Sequence, residues 1–135
     1  MATRAHECPD AAPASPAGAA RVTDPAGAPV CERCVLADTY LRRLRGLLGR
    51  RELPAGEGLL LRPCGSVHSW FLRFPIDVVL LDGDMNVLKV IAPLRPWRMA
   101  GARGARCVLE LAAGQARARG IGPGDRLVVE NGVRG

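Results

Sequence analysis

Aromatic residues are scarce in this chain. They make up 4% of its 135 residues, although apolar residues of all kinds make up 48%. A core must therefore be built mainly from Leu, Val, Ile and Ala, and an aromatic ligand cage is not expected. Lysine is nearly absent as well, since Lys89 is the only lysine among nineteen cationic residues. The formal charge of +6 is thus carried by arginine, whose guanidinium group suits carboxylates, phosphates and anionic surfaces.

Long hydrophobic runs are also missing. No run approaches the roughly 18 apolar residues needed to cross a bilayer, and residues 11–28 are too often broken by proline and polar residues to be a signal peptide. We therefore expect a cytoplasmic protein without a membrane span, in which the cysteines stay thiols or bind metal. The cysteines are Cys8, Cys31, Cys34, Cys64 and Cys107. No nucleic-acid partner is expected, because no reader motif accompanies the basic charge.

The chain divides into a tail and one domain. Residues 1–29 are rich in alanine, proline and glycine and show no apolar periodicity, which predicts a disordered tail. The remaining residues, 30–135, are enough for a single globular domain with one modest core.

Several short strands are predicted from apolar runs between turn residues. The clearest feature is a hairpin, in which residues 67–81 return through residues 86–92 across an Asp-Gly-Asp turn. Further strands are predicted at residues 30–37, 58–62, 107–111 and 127–130. Residues 93–104 contain two prolines and two glycines, which favours an exposed loop without a strand ladder.

Two helices are predicted. Leucines recur at the spacing of one helical face in residues 38–48, between a possible N-cap and a glycine stop. A second, short helix is predicted at residues 112–119, before Gly120. The fold class is therefore α+β: a β-rich curled sheet or partly open barrel of about six short strands with two short helices.

Four stretches together resemble a known family. They are ADT with RRLRGLLGR at residues 37–50, HSWFLRFPIDVVLLD at 68–82, CVLEL at 107–111 and GPGD at 122–125. Their order is similar to that in the bacterial domain of unknown function 192 family, also called uncharacterised protein family 0127, over about residues 30–129. The resemblance implies a compact β-rich domain with two short helices. It implies no established activity, cofactor or catalytic residue.

Asp77 is the most informative polar residue. It lies in the run IDVVLL, where both faces of the strand are apolar, so a carboxylate there must be paired or strongly hydrogen-bonded. One interpretation is a structural ion pair with Arg73 or with an arginine of the first helix. The alternative is an acid that lines a pocket and binds a polar or cationic ligand.

Further candidate ligand-binding residues are Arg73, His68, Trp97 and Glu110. Trp97 lies in the irregular loop, where it is either exposed as a contact residue or folded over the end of the barrel. Glu110, like Asp77, is an acid between apolar residues. His68 is expected to be a hydrogen-bonded structural residue, because no nucleophile elbow or oxyanion loop accompanies it.

A zinc site can be written from Cys31, Cys34, Cys64 and His68, which have CxxC and CxxxH spacing. Metal is not expected, however, because Cys31 and Cys34 lie in a predicted strand, where an odd offset sends them to opposite faces. We therefore expect a non-enzymatic binding or accessory domain with no cofactor and with a small molecule or a protein as its partner. The alternatives are a zinc-binding domain and a small enzyme that uses Asp77, with or without His68, as a general acid or base.

Overall fold

The computed structural model describes residues 19–37, 53–62, 64–69 and 73–130. Within them the chain is almost entirely β-structure, with nine strands and one helical turn. The strands are β1 (Ala19–Thr23), β2 (Pro29–Ala37), β3 (Glu57–Leu61), β4 (Ser66–His68), β5 (Ile76–Leu81), β6 (Val87–Leu94), β7 (Met99–Gly101), β8 (Cys107–Ala112) and β9 (Val128–Glu130). The helix α1 spans Gln115–Ala118.

Seven of the strands form one sheet in the order β6-β5-β8-β3-β2-β1-β9. Only β2 and β3 run parallel; the other neighbours are antiparallel. The sheet curls until its two ends meet at a bridge between Asn86 and Arg126. There the Val87 N–H donates to the Asp125 carbonyl at 2.7 Å, and the Leu127 N–H donates to the Met85 carbonyl at 2.9 Å. The prediction of a β-rich, curled and partly closed sheet is therefore confirmed.

The helical content is lower than predicted. The second predicted helix is present, but α1 has only four residues, because β8 continues to Ala112 before the chain turns at Gly114. The first predicted helix, at residues 38–48, lies outside the described residues. No helix in the described part of the chain is long and apolar enough to cross a membrane.

The β5–β6 hairpin forms, but its first strand is shorter than the predicted run of residues 67–81: β5 begins at Ile76, and residues 66–68 form β4 of the other sheet. Its turn is held by the Asp82 carboxylate, which accepts the N–H groups of Asp84 at 2.8 Å and Asn86 at 2.9 Å. The hydrogen bonds from Asn86 lower the pKa of Asp82, since they favour the charged carboxylate. A short polar side chain thus fixes the tight turn that the Asp-Gly-Asp sequence predicts.

Both faces of the central strands are buried, in two separate cores. Alternate residues of β5 face opposite ways: Val79 and Leu81 belong to the inner core of the curled sheet, and Val78 and Leu80 belong to an outer core. The outer core is covered by a second, two-stranded sheet of β4 and β7. This explains why β5 and β8 are apolar at successive positions instead of alternating with polar residues.

Part of the predicted tail is ordered strand. β1 pairs with both β2 and β9, and Val22 is fully buried in the inner core. The prediction of a disordered tail is therefore wrong for residues 19–29; residues 1–18 lie outside the described residues. The composition of this segment gave the wrong prediction because AARVT has few apolar residues, and its order depends on backbone pairing with two other strands.

The loop predicted at residues 93–104 also contains strand. β6 runs on to Leu94, and β7 pairs with β4 in the register Ser66–Gly101, Val67–Ala100 and His68–Met99. The expectation that this segment forms no ladder is wrong. Its irregular part is confined to residues 95–98 and 102–104.

Candidate functional site

Asp77 is fully buried on the inner face of β5, beside α1. Its Oδ2 accepts the backbone N–H of Gly114 at 3.0 Å and that of Ala116 at 2.8 Å. Gly114 has φ +92°, which favours glycine and aims these amides at the carboxylate. The expected hydrogen bonding is therefore present, but it comes from the backbone of the turn that begins α1.

Within the described residues, Asp77 has no salt bridge to an arginine. The predicted ion pair with Arg73 is therefore not formed, and Arg73 is exposed; the arginines of the first predicted helix lie outside the described residues. The second oxygen of Asp77, Oδ1, is buried without a hydrogen bond. The arrangement ties β5 to the turn after β8.

Glu110 is fully buried too, but on the opposite face of the sheet. It lies opposite Val78 of β5 and Leu59 of β3, both members of the outer core, whereas Asp77 lies opposite Leu111 on the inner face. The sheet therefore separates the two buried acids. They do not form a carboxylate pair of the kind used for acid–base catalysis.

His68 lies in β4, and Trp97 lies in the loop that precedes its partner strand β7. His68 is half-buried and lies opposite Met99, and the loop that precedes β7 passes beside Ser69. The Trp97 N–H donates to the Ser69 carbonyl at 3.0 Å. We call residues 95–99 the Trp97 loop.

Ser69 fixes the Trp97 loop. Its hydroxyl donates to the Arg95 carbonyl at 2.6 Å and accepts the Arg98 N–H at 2.9 Å, and its own N–H donates to the Arg98 carbonyl at 2.8 Å. Ser69 is fully buried, so these bonds are shielded from water. Composition and spacing pointed to Trp97 but gave no signal for Ser69, because its partners are distant in sequence.

Trp97 has an unusual backbone conformation. Its φ is +66°, in the left-handed region that bulky residues rarely adopt, and 54% of its surface is exposed. Such a conformation persists only where neighbouring groups enforce it, which the Ser69 hydrogen bonds do. Of the two alternatives for Trp97, the exposed one describes the structure.

The zinc alternative is not supported by the described residues. They contain no group of three or more His, Cys, Asp or Glu side chains that could hold a metal. Cys64 is buried, and its sulfur lies 3.2 Å from the Ser66 carbonyl oxygen, outside any such group. Cys31 and Cys34 are free thiols.

The reason given against zinc was wrong, however. Cys31 and Cys34 lie on the same face of β2, because a β-bulge separates them: Cys34 lies opposite Ala20 and Cys31 opposite Val22. Three steps along β2 therefore correspond to two along β1, and both thiols enter the inner core.

A cleft of about 300 Å³ lies where the sheet closes. It is lined by Asp24, Pro25, Val30, Arg119, Gly120, Ile121, Asp125, Arg126 and Leu127. Most of the charged side chains that line the cleft already form hydrogen bonds with neighbouring parts of the chain. Asp24 accepts two N–H groups of its turn, Asp125 accepts that of Gly122, and Arg119 donates to the Pro29 carbonyl and to Glu32. The cleft contains none of the residues predicted from sequence.

Solved structures share this fold. A protein of unknown function from Novosphingobium aromaticivorans matches with a TM-score of 0.67 and 28% identity, over 87% of this chain and 93% of its own. A protein from Sinorhizobium meliloti 1021, described as a candidate transcription regulator, matches with a TM-score of 0.65 over 82% of this chain and 91% of its own. At 22% identity the second match shows the fold alone.

Curated relatives carry the same family name and no function. The UPF0127 protein of Pyrococcus furiosus is 32% identical over 67% of this chain and 81% of its own length. That of Thermococcus sibiricus is 31% identical over 61% of this chain and 56% of its own length. These relatives are archaeal, so the family is not confined to bacteria. The profile of DUF192, described as Uncharacterized ACR, matches residues 22–129, and this chain therefore belongs to that family.

Proposed function

We propose that this chain is a non-enzymatic binding domain, that its contact surface is the Trp97 loop, and that its partner is a protein segment rich in acidic side chains. One observation carries the proposal: an exposed tryptophan is held in a strained backbone conformation by a buried serine. The cytoplasm, predicted from the sequence, is the proposed location.

The Trp97 loop is preorganised for contact. Buried Leu94 and Ala100 anchor its two ends in the outer core, and Ser69 fixes its middle. The exposed side chains between these anchors are those of Arg95, Trp97, Arg98 and Met99. Because the loop is already ordered, binding would cost little further conformational entropy.

The residue types of the loop are those of protein interfaces. Tryptophan, arginine and methionine are enriched in the contact regions of complexes, and tryptophan and arginine are frequent hot spots. Residues 85–109 contain Lys89 and four arginines but no acidic residue. An acidic partner is therefore complementary in charge, and its association would be steered by this segment.

The enzyme alternative has less support. Asp77 is fully buried, its Oδ2 is engaged by two backbone amides, and it does not line the cleft. A general acid or base must come within hydrogen-bond reach of a substrate atom. His68 lies at the other sheet, so the two residues named for that chemistry are not adjacent strand partners.

An array of peptides tests the proposal. Peptides with several Asp and Glu residues around one apolar residue are compared with basic and uncharged peptides of the same length, and with duplex DNA as an unrelated polyanion. We expect the full chain to select the acidic peptides, and Trp97→Ala to lose most of the signal. Val35→Ala is the matched control, because Val35 is an exposed apolar residue of β2.

Three results would contradict the proposal. They are equal binding to all peptides, equal loss in Trp97→Ala and Val35→Ala, and binding to DNA that exceeds binding to every peptide. The last would favour a nucleic-acid partner, which the sequence does not predict.

A further inference from the structure

The two thiols of the CxxC sequence are brought together by the bulge in β2. Cys31 and Cys34 are free, both have no exposed surface, and both belong to the inner core. The register with β1 makes the two side chains same-face neighbours that enter one core. An ordinary strand would direct residues three apart to opposite faces. The bulge therefore places both thiols on the same face of β2.

The chain leaves room for Cys31 by means of a glycine. A Cβ atom on Gly58 of the neighbouring strand β3 would lie 2.9 Å from the Cys31 sulfur. The Cys31 sulfur also lies 3.7 Å from the Gly56 carbonyl oxygen, at the end of the same strand. Two glycines thus border this sulfur on one side.

The two thiols differ in acidity. The hydrogen bond from Cys34 lowers the pKa of Cys31, because it stabilises the Cys31 thiolate. The same hydrogen bond and burial raise the pKa of Cys34. Thiolate is the reactive form of cysteine, so Cys31 would react first and Cys34 second.

We propose that Cys31 and Cys34 form a redox-active dithiol pair that a small peroxide converts into an intramolecular disulfide. This site is independent of the Trp97 loop and does not rest on the proposed binding function. Because both sulfurs are buried, we expect the reaction to require local opening of the β1–β2 pairing, and hence to be slow.

The chemistry balances in two steps. The Cys31 thiolate attacks one oxygen of hydrogen peroxide, the O–O bond breaks, and the leaving hydroxide takes up the proton that the Cys31 thiol lost. This gives a sulfenic acid and water. Cys34 then attacks the Cys31 sulfur, the S–O bond breaks, and the hydroxide leaves with the Cys34 proton as a second water. Two thiols are oxidised, and one peroxide is reduced to two waters.

Peptide mapping after peroxide treatment tests the proposal. Trypsin cuts after Arg21, Arg33 and Arg42, so it separates Cys31 from Cys34. In the oxidised protein, peptides 22–33 and 34–42 should stay joined until dithiothreitol is added. In Cys34→Ser, the sulfenic acid on Cys31 cannot be resolved and should be labelled by dimedone. Cys107→Ala is the matched control, because Cys107 is another buried thiol of the inner core and should not be needed.

Other outcomes would overturn the proposal. Peptides 22–33 and 34–42 that remain separate after oxidation would show that the pair does not close. A disulfide between Cys34 and Cys107 would show that a different pair reacts. Dimedone labelling of Cys34 in Cys31→Ser, with none of Cys31 in Cys34→Ser, would reverse the assigned order.

Discussion

At some positions in the sheet, neighbouring atoms leave no room for a side chain larger than the one present. Gly58 is the sharpest case, because a methyl group there would lie 2.6 Å from the Glu110 carbonyl oxygen and 2.9 Å from the Cys31 sulfur. The backbone of β8 cannot move away without breaking its ladder with β3. We expect Gly58→Ala to lower the free energy of unfolding by about 1–3 kcal/mol, the usual cost of overpacking.

Gly83 is the matched control for this substitution. A Cβ atom there meets nothing within 4 Å, so Gly83→Ala should change the free energy of unfolding by less than about 0.5 kcal/mol. Urea unfolding of both variants measures the difference. Equal stability of the two would contradict the close approach of β3 and β8.

Asp77 gives a second prediction at this scale. Asp77→Asn keeps an oxygen that can accept the Gly114 and Ala116 amides, but it removes the charge and buries an NH₂ group. We expect a loss of about 1–3 kcal/mol in the free energy of unfolding, typical of weakening a charged hydrogen bond. That is less than the about 3–5 kcal/mol expected for breaking a buried ion pair. As a control, Asp84→Asn, at an exposed turn position, should leave the free energy of unfolding unchanged. An unchanged free energy of unfolding in Asp77→Asn would contradict the role of Asp77 in tying β5 to the turn after β8.

The buried thiol of Cys107 is expected to make the free energy of unfolding depend on pH in the alkaline range. Burial raises the pKa of its thiol from 9.0 to about 11, so above pH 9 the unfolded chain loses a proton that the folded chain keeps. Stability from this group is complete below pH 9 and should fall by about 1.4 kcal/mol per pH unit as the pH rises toward 11. Urea unfolding at about pH 8 and about pH 10.5 should show a smaller fall in Cys107→Ala. An identical fall in both proteins would be inconsistent with this shift.

For Asp77, the sequence predicts that the side chain is buried and hydrogen-bonded, but it does not predict which groups are its partners. The apolar neighbours of Asp77 required a hydrogen-bonded carboxylate, and one is present. Its donors, however, lie 37 and 39 residues later in the chain, and only the β5–β8 pairing brings them near. Ser69 was missed for the same reason, since Arg95 and Arg98 are distant in sequence.

At the scale of elements, β1 stabilises the sheet more than its composition suggests. It lies between β2 and β9, and Val22 is fully buried, whereas Val35 of β2 is half exposed. We expect Val22→Ala to lower the free energy of unfolding by about 1–3 kcal/mol, through lost burial and a cavity, and Val35→Ala by less than about 0.5 kcal/mol. Thermal unfolding of the two variants measures this. A reversed order would show that β1 does not pack as described.

Local pattern predicted the elements that carry a turn sequence or an apolar run of their own. The β5–β6 hairpin follows from its turn sequence and apolar strands, and the existence of β2, β3, β8 and β9 follows from short apolar runs. β7 was missed because three residues between glycines and prolines carry little signal, and its partner β4 is some thirty residues earlier. The bulge in β2 leaves no trace in an unaligned sequence, since it depends on the register with β1.

At the scale of the whole molecule, and within the described residues, closure of the sheet leaves the Trp97 loop with apolar and cationic side chains exposed together. The bridge at Asn86 and Arg126 joins the sheet ends, and the β4–β7 sheet covers the outer core. The same two-stranded sheet presents the Trp97 loop. Curling could be predicted from many short strands and tight turns, whereas this placement could not, because it depends on non-local pairing of β4 with β7.

The most direct test of the proposed contact surface is the dissociation constant of the tightest acidic peptide from the array, measured by calorimetry for the parent chain, Trp97→Ala and Val35→Ala. We expect Trp97→Ala to weaken binding by about thirtyfold, which corresponds to a hot spot of about 2 kcal/mol. Val35→Ala should bind like the parent, and added salt should weaken binding in both. A dissociation constant for Trp97→Ala within about twofold of the parent value would contradict the assignment of the Trp97 loop as the contact surface.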